Sequence, residues 1–289
     1  MKSAIIRNSV LLLVIIGLYW FINRAPSPLV DSHHLTSLQA EHVTTIHIQR
    51  HDRDDIKLSK QDDDWFIDQP IQANANITRT KLILNLLSSV SHSQLTITPN
   101  LTLQQFSLEP AKVKLRLNDQ LFEFGNIEPI SKHRYIRHNN ILHLVNDTVM
   151  PLLNANANSF IDNRLFSANQ HITQLSLPEI VDGDSHTQAV TISLEDGHWQ
   201  SSNSVLSTDS LTAVITSWQH AYAMQVMPFN NANAFAQTVT VEFADKTSSN
   251  LLLQLTSHHI ALIDVSKKLQ YQFPRAKLQQ FLPIQDPSD

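Results

Sequence analysis

Histidine is the residue type in this sequence whose abundance most suggests chemistry. The chain has 15 histidines among its 289 residues, and two to four imidazoles are enough to bind zinc or copper. The main clusters are His33, His34, His42, His47 and His51, then His133, His138 and His143, and finally His258 and His259. No H-E-x-x-H helix pair accompanies them. We therefore predict solvent-facing histidines, no bound metal and no cofactor.

One basic cluster, from Lys132 to His138, could bind an anion. On a strand, Arg134 and His138 would share one face and Arg137 would lie on the other. Lipid headgroups or a phosphorylated glycan would then be bound by Arg134, Arg137 and His138. A solvated sheet edge that is protected by charge explains the same cluster, and this is the interpretation we favour.

Two tryptophans, Trp65 and Trp199, occupy similar places before predicted helices. The carboxylates of Asp62-Asp63-Asp64 beside Trp65 could bind a hard cation, but the calcium-loop pattern is missing. Asp196-Gly197-His198 holds the equivalent place before Trp199, so we predict a turn at both positions. The tryptophans could stack on a ligand, but we interpret them as structural anchors in the core.

Composition excludes several classes of site. The chain has no cysteine, which excludes disulfides, thiolate metal sites and cysteine nucleophiles. Its 4 glycines lie far apart, so no glycine-rich loop can bind a nucleotide phosphate. The net charge of −5 gives no general attraction to nucleic acid. The serine-hydrolase pattern G-x-S-x-G is also missing. We predict a protein that is not an enzyme.

An apolar run from Val10 to Ile22 follows Lys2 and Arg7. It is shorter than the roughly 20 residues that span a bilayer, but it lengthens if Arg7 snorkels. Trp20 lies near its far end, where an aromatic belt belongs. A cleaved signal peptide is the alternative, although Asn23-Arg24-Ala25 is a poor cleavage site. We predict a single-pass inner-membrane anchor with a cytoplasmic N-terminus and a periplasmic soluble region.

The remaining chain reads as a tandem duplication. Each copy has alternating strands, a tryptophan, an amphipathic helix, hairpins and a short apolar helix. The pattern predicts the first helix over Ile83 to Val90 and the second over Leu211 to Tyr222, capped by Ser207 or Thr208. The predicted fold class is α+β: an N-terminal transmembrane helix followed by two tandem, duplicated units of antiparallel strands packed with one main helix each.

The expected domain boundaries follow from this pattern. Residues 1–24 form the membrane anchor, 25–42 a linker, 43–169 the first α+β repeat and 170–289 the second. The segment from Asn154 to Asn169 is the predicted joint between the copies. Because it carries Phe160, Leu165 and Phe166, we expect it to be packed against the repeats.

Short motifs carry a resemblance to a known family. They are Trp65-Phe66-Ile67 followed by Pro70, then Leu103 to Pro110, then Phe124-Gly125-Asn126 and Tyr135-Ile136-Arg137. In these motifs the sequence resembles the domain of unknown function 4340 family, with Ser107 where glycine is usual.

The resemblance covers roughly Val43 to Leu282. It implies a membrane-tethered, extracytoplasmic module, often associated with gliding-type ABC transporter components, and it supplies no catalytic residues.

Two functional hypotheses follow from these observations. The first is a non-enzymatic, membrane-anchored envelope protein that presents a duplicated module to a protein partner, such as an ABC transporter or another membrane complex. The alternative is an extracytoplasmic binding module for a glycan, a lipid headgroup or a metal. A concave pocket that gathers polar groups from both copies favours the alternative, or an enzyme as a third hypothesis, and an exposed, flat apolar patch favours the first.

Overall fold

The computed structural model describes residues 12–19, 33–182, 185–187, 189–202, 207–229 and 237–282. Of the predicted anchor, only residues 12–19 are described. They form an exposed helical segment, and the rest of the anchor and residues 25–32 of the linker lie outside the described residues. Within the described part of the chain, no helix has both the length and the apolar character that crossing a membrane requires.

The first unit is built on a 10-stranded antiparallel sheet. Its strands are β1 (His33–His34), β2 (Thr45–Arg50), β3 (Arg53–Gln61), β4 (Asp64–Gln69), β5 (Ala73–Asn74), β6 (Val90–Thr96), β7 (Val113–Leu117), β8 (Gln120–Ile127), β9 (Arg134–His138) and β10 (Ile141–Val145). Alternation of apolar and polar residues explains the central strands, because the apolar side chains of β2 and β7 are buried on one face. The β7–β8 hairpin turns at Asn118-Asp119, and the β9–β10 hairpin turns at Asn139-Asn140.

The second unit is built on an 8-stranded antiparallel sheet. The strands of this part of the chain are β11 (Ile172–Leu177), β12 (Ile180–Asp182), β13 (Ser185–Thr187), β14 (Val190–Glu195), β15 (His198–Ser201), β16 (Gln225–Pro228), β17 (Gln237–Phe243), β18 (Ser248–Leu255), β19 (His259–Asp264) and β20 (Leu269–Pro274). Strands β12 and β13 pair with each other as a separate ribbon. The predicted α+β class, with two antiparallel sheets and few helices, is confirmed.

The two sheets share one strand order. In space the first runs β6-β10-β9-β8-β7-β2-β3-β4, with β1 and β5 added at its edges. The second runs β16-β20-β19-β18-β17-β11-β14-β15. We match the strands of the two sheets in the order in which they follow along the chain, leaving out β1 and β5. Two strands that are neighbours in the first sheet then always correspond to two strands that are neighbours in the second. This agreement is what a tandem duplication requires.

Short helices complete each unit. They are α1 (Ile77–Leu84), α2 (Met150–Leu153), α3 (Thr208–Gln219) and α4 (Leu278–Phe281). The side chain of Ser207 accepts a hydrogen bond from the backbone N–H of Ser210 and so caps α3 as predicted. The predicted ends of the main helices were wrong. Val90 begins strand β6, and Tyr222 lies beyond the end of α3 at Gln219.

The segment between the units pairs with both of them. The backbone N–H of Asp162 donates to the carbonyl of Asn74 over 2.8 Å, and Ile161 bridges Ala75 in the first unit. The N–H of Leu165 donates to the carbonyl of Ala221 in the second unit over 3.0 Å. We call residues 160–165 the joint. Its buried side chains belong to one apolar core that contains residues of both sheets, so the joint is packed, as the sequence predicted.

The outer face of the first sheet carries a second, smaller core. Leu103, Leu108 and Ala111, from the connection between β6 and β7, pack with Leu142 of β10. Gly125 allows this connection to lie close to the sheet. A Cβ at position 125 would overlap the carbonyl oxygen of Phe106 and would lie 3.2 Å from Leu108 Cγ. Two of the family-like motifs, around Phe106 and around Gly125, are thus explained by one close contact.

Candidate functional site

The predicted basic cluster lies on β9, and its cations are paired within the protein. Arg134 Nε and Nη2 donate to Asp147 Oδ2 over 2.9 and 2.7 Å, and both side chains are largely buried. Arg137 Nη1 lies 3.4 Å from Glu123 Oε2 and 3.9 Å from Glu109 Oε1. Neither guanidinium depends on an external anion for its neutralisation.

His138, the third residue of this predicted site, faces the core. It is 6% exposed, and its ring stacks on Phe122 with 4.4 Å between the ring centroids. Its Nδ1 donates to the carbonyl of Leu121 over 3.0 Å, so Nε2 is left to accept from the Asn139 side chain at 3.1 Å. The structure brings Arg134, Arg137 and His138 together on one strand, but each is occupied by the protein's own groups.

The prediction of solvent-facing histidines was wrong at two positions. His138 is buried, and His143 on the neighbouring strand is only 2% exposed. His143 Nδ1 lies 3.0 Å from Ser91 Oγ, while Nε2 is buried without a hydrogen-bond partner in the described structure. Burial, and to a smaller extent the nearby His138, lowers the pKa of His143 to about 4. Both rings therefore fill core space.

No metal site emerges from the remaining histidines and carboxylates. Within the described ranges, no three side chains of His, Cys, Asp or Glu are grouped so that they could hold an ion. Asp62 and Asp63 form the turn between β3 and β4, and Asp196 and Gly197 form the equivalent turn between β14 and β15. The predicted turns are confirmed.

The two tryptophans occupy the same register in their hairpins. Trp65 pairs with Lys60, and Trp199 pairs with Leu194, each one residue beyond the pair that closes its turn. Their burial differs. Trp65 is 5% exposed and lies in the main core, whereas Trp199 is half-buried and packs against that core from its edge. Neither of them lines the main groove of the molecule.

That groove is the main candidate for a functional site. It has a volume of about 1170 Å³ and is lined by residues of both units and of the joint. The first unit contributes β4 and the segment that follows it, including Phe66 and Gln72. The second contributes the end of β16 and the β19–β20 hairpin, including Phe229 and Lys268. It is the kind of concave site, walled by both copies, that favours ligand binding.

Charged side chains in the groove are largely neutralised by close partners. Arg164 Nε and Nη2 donate to Asp162 Oδ2 over 2.8 and 2.6 Å. This hydrogen-bonded pairing with Asp162 raises the pKa of Arg164. Lys267 Nζ lies 3.0 Å from Asp264 Oδ2. The groove therefore offers an external ligand little unpaired charge from these groups.

Asp264 and Tyr271 form the buried side of the second wall. Burial alone would raise the pKa of Asp264, but hydrogen bonds from Ser266 and Lys267, together with the charge of Lys267, lower it. The carboxylate therefore stays ionised and holds the turn that carries Lys267. Burial raises the pKa of Tyr271, and the nearby Asp264 and Asp162 add to this. Tyr271 is thus a neutral phenol and a poor proton donor at physiological pH.

A second, shallower cleft lies between α1 and α2. Its volume is about 470 Å³, and it is lined by Leu82, Leu152 and Tyr222 with Arg79 beside them. Leu82 is 50% exposed and Tyr222 is 54% exposed. Asn76, Thr78 and Thr148 complete its lining with polar groups.

Comparison with protein families places the sequence in one of them. A family model described as Domain of unknown function (DUF4340) matches residues 65–238. The chain belongs to this family. The DUF4340 match begins at Trp65, includes the joint and the first wall of the groove, and ends near the start of β17. No curated protein and no solved structure matches the chain significantly.

Sequence reasoning missed the groove. Its walls come from four segments, around Phe66 to Asn74, Ile161 to Gln170, Pro228 to Phe229 and Ser266 to Tyr271. Most of these residues lie in turns and connections, without a spacing that signals a site. The one usable signal was the apolar content of the predicted joint, which indicated packing between the copies.

Proposed function

We propose that this DUF4340 protein is a non-enzymatic envelope protein that is held at the inner membrane by its N-terminal segment. In this proposal the N-terminus is cytoplasmic, and the two units lie in the periplasm and are presented to a protein partner, such as an ABC transporter or another membrane complex. A segment of the partner occupies the groove between the units. The sequence supports the anchor through the apolar run from Val10 to Ile22.

The groove is the observation that carries the proposal. A concave site between the copies favours ligand binding, and it is the size of the groove that favours a protein segment as the ligand. Its volume of about 1170 Å³ exceeds the range of roughly 300–1,000 Å³ that is usual for small-molecule sites. An elongated macromolecular segment therefore suits it better than a compact metabolite. The joint, which is hydrogen-bonded to both units, supports both walls and keeps them in register.

The chemistry of the groove supports binding more than catalysis. A general base or nucleophile needs a free, suitably tuned group. Asp162 is engaged by Arg164, and Asp264 is engaged by Lys267 and Ser266. The raised pKa of Tyr271 removes the phenolate as a base.

We also propose that the two units arose by tandem duplication, with the repeats at 43–169 and 170–289. The shared strand order and the equivalent registers of Trp65 and Trp199 support this origin. In this view Trp65 and Trp199 are structural anchors that were inherited by both copies.

Site-specific photocrosslinking in intact membranes tests the proposed function. Crosslinking residues replace Gln72 on the first wall or Asn169 beside the joint, and Asn250 on the exposed part of β18 serves as a matched control. We expect one partner peptide to crosslink to both groove positions and not to position 250. Equal capture at all three positions, or at none, would contradict the proposal.

The membrane anchor has its own test. A C-terminal alkaline phosphatase fusion should be active, and the protein should stay with membranes after a carbonate wash. Inactivity of the fusion would contradict the proposed topology, and release by carbonate would indicate cleavage near Ala25.

A glycan-binding module is the second candidate function. The rings of Phe66 and Phe229 reach the groove beside side-chain amides and would be the stacking surfaces for a sugar, although both are half-buried. The lipid-headgroup form of this alternative used Arg134, Arg137 and His138, whose internal partners weaken the case for it. Isothermal titration with neutral oligosaccharides should show saturable heat, abolished by Phe229→Ala, if this second candidate is correct.

A further inference from the structure

Neutral amide side chains line the groove on two sides. Gln61, Gln72 and Asn74 belong to the first unit, and Asn169 and Gln170 follow the joint. Gln61, Gln72, Asn74 and Asn169 are exposed. An amide side chain offers two donors and an acceptor, so it can pair with either the N–H or the C=O of a peptide group. An extended polypeptide presents such groups along both of its edges.

Apolar side chains line the groove together with these amides. Phe66, Pro70 and Ile71 lie in the first wall, and Pro228 and Phe229 lie in the second. Successive side chains of an extended peptide point to opposite sides. Alternate residues of such a peptide could therefore contact the apolar groups of the two walls, while its backbone meets the amides.

The charges of the lining favour neither a cationic nor an anionic ligand. Arg164 and Lys267 are each held by a carboxylate at 3.0 Å or less. Asp68 and Lys268 also line the groove and are exposed, but their charges are opposite in sign. The lining therefore has no net charge that would repay a segment of one sign for its lost hydration.

A polypeptide fits these contacts better than a sugar chain. Sugars need exposed ring faces for stacking, but Tyr271 is only 4% exposed. None of Trp65, Trp199 and Trp218 lines the groove. The rings that do reach it, Phe66 and Phe229, are half-buried and present limited faces.

We propose that the groove binds an extended, uncharged polypeptide segment whose alternate side chains are apolar. The segment runs between the walls that carry Phe66 and Phe229, and Gln72 and Asn169 pair with its backbone. This inference rests on the proposed function, because it names the chemistry of the partner segment.

Selection from a displayed library of random peptides, about eight residues long to match an extended strand, tests this chemistry. The bait is the full-length protein in lipid nanodiscs. We expect enriched peptides that lack Asp, Glu, Lys and Arg and carry apolar residues at alternate positions. The double variant Gln72→Glu, Asn169→Asp keeps the side-chain sizes and adds two negative charges. It should shift the enriched peptides to sequences that contain Lys or Arg.

The matched control is Asn250→Asp on β18, outside the groove, which should enrich the same peptides as the unmodified protein. The inference is overturned if enriched peptides show no charge bias, if the double variant enriches the same set, or if neutral oligosaccharides bind and no peptide does.

Failure of this inference can be told from failure of the proposed function. A partner captured by crosslinking at positions 72 and 169, together with an unbiased peptide selection, leaves the function standing and removes the inference. If neutral peptides are selected but no partner is crosslinked in membranes, the inference about the groove stands and the proposed function is removed.

Discussion

The last hairpin of each unit buries two titratable side chains at equivalent positions, and the two pairs differ in chemistry. In the first unit they are His138 and His143, and in the second they are Asp264 and Tyr271. His138 is the strand partner of Ile141, and Asp264 is the strand partner of Leu269. His143 lies two residues after Ile141, and Tyr271 lies two residues after Leu269. A shared fold thus fixes where a polar group can be buried but not which group is buried.

The outer face of the first sheet is covered by a long connection. In the first unit, residues 97–111 cross the sheet and build a second small core around Leu142. In the second unit, the equivalent connection between β16 and β17 lies mostly outside the described residues. The inner core follows from the common strand order, whereas the first sheet owes its outer cover to a longer connection.

The largest expected effect is a loss of stability that differs between the two equivalent tryptophans, Trp65 and Trp199. Trp65→Ala should lower the free energy of unfolding by about 3–5 kcal/mol, because a large buried ring leaves a cavity. Trp199→Ala should cost about 1–2 kcal/mol, since its ring is only half-buried. Trp218 takes the anchoring role in the second unit: it is 1% exposed, and its Nε1 donates to the Phe281 carbonyl over 2.8 Å.

We therefore expect Trp218→Ala to cost at least as much as Trp65→Ala. Urea unfolding followed by far-ultraviolet circular dichroism measures all three variants. Equal losses for Trp65→Ala and Trp199→Ala would restore the simple equivalence of the two tryptophans.

Gly125→Ala should be the next most damaging change. The added Cβ meets the backbone carbonyl of Phe106, which cannot move aside as a flexible side-chain end could. We expect a loss of about 3 kcal/mol in unfolding free energy. Gly197→Ala is the control in the second unit, where φ is +81° and nothing lies within 4 Å of a built Cβ. It should cost about 1 kcal/mol from backbone strain alone. A similar loss for both would show that the close contact at Gly125 is relieved easily.

Two of these buried side chains, His143 and Tyr271, predict opposite pH sensitivities. The pKa of His143 falls from 6.5 to about 4 on folding, so the unfolded chain takes up this proton at a higher pH than the folded one. The stability that the neutral His143 contributes is fully present above pH 6.5. It falls as the pH is lowered from 6.5 to about 4. The loss should reach about 2 kcal/mol near pH 5. His143→Leu should flatten this part of the stability profile.

Tyr271 should act in the other direction. Because burial raises its pKa above 10 in the folded state, its contribution is complete below pH 10 and is lost at higher pH. Tyr271→Phe should reduce the loss of stability at high pH and leave the loss of stability at low pH unchanged. If His143→Leu altered the loss of stability at high pH instead, the assignment of the two pH effects to His143 and Tyr271 would be wrong.

The smallest expected effect concerns the outer cover of the first sheet. Ser107 has φ of +56°, a left-handed conformation that glycine adopts without strain. Ser107→Gly should therefore raise the free energy of unfolding by about 0.5 kcal/mol. Ser107→Ala is the control and should give no gain. A destabilising Ser107→Gly would mean that the serine hydroxyl makes a contact whose loss outweighs the relief of strain.

Much of the fold could be predicted because its hairpins alternate cleanly. Val113, Leu115 and Leu117 are buried while Lys114 and Arg116 face outward, and the sequence shows this pattern directly. Strand β6 was missed because Val90 to Thr96 lacks such alternation. It lies next to the edge of the sheet, where only the two-residue strand β1 flanks it, and it is held mainly by backbone pairing with β10. Backbone pairing leaves little trace in side-chain chemistry.

The candidate sites were harder to predict for a related reason. The basic cluster was visible in the sequence, but the carboxylates that neutralise it, Asp147 and Glu123, come from other strands and a connection. His143 could not be assigned to the core, since its partner Ser91 is distant in sequence. The groove depends on how the two units meet, and no local pattern encodes that arrangement.

The joint has a consequence for how the chain folds. Two neighbouring units with the same strand order invite mispairing, because a strand of one copy can be taken up at the equivalent place in the other. Residues 160–165 form hydrogen bonds to Asn74 and Asn76 on one side and to Ala221 on the other. The joint therefore fixes which copy lies on which side. A strand exchange between the copies that separated the joint from either unit would lose these hydrogen bonds. We expect circular permutants opened within the joint to aggregate on refolding, whereas permutants opened at the exposed Asn139-Asn140 turn should fold correctly.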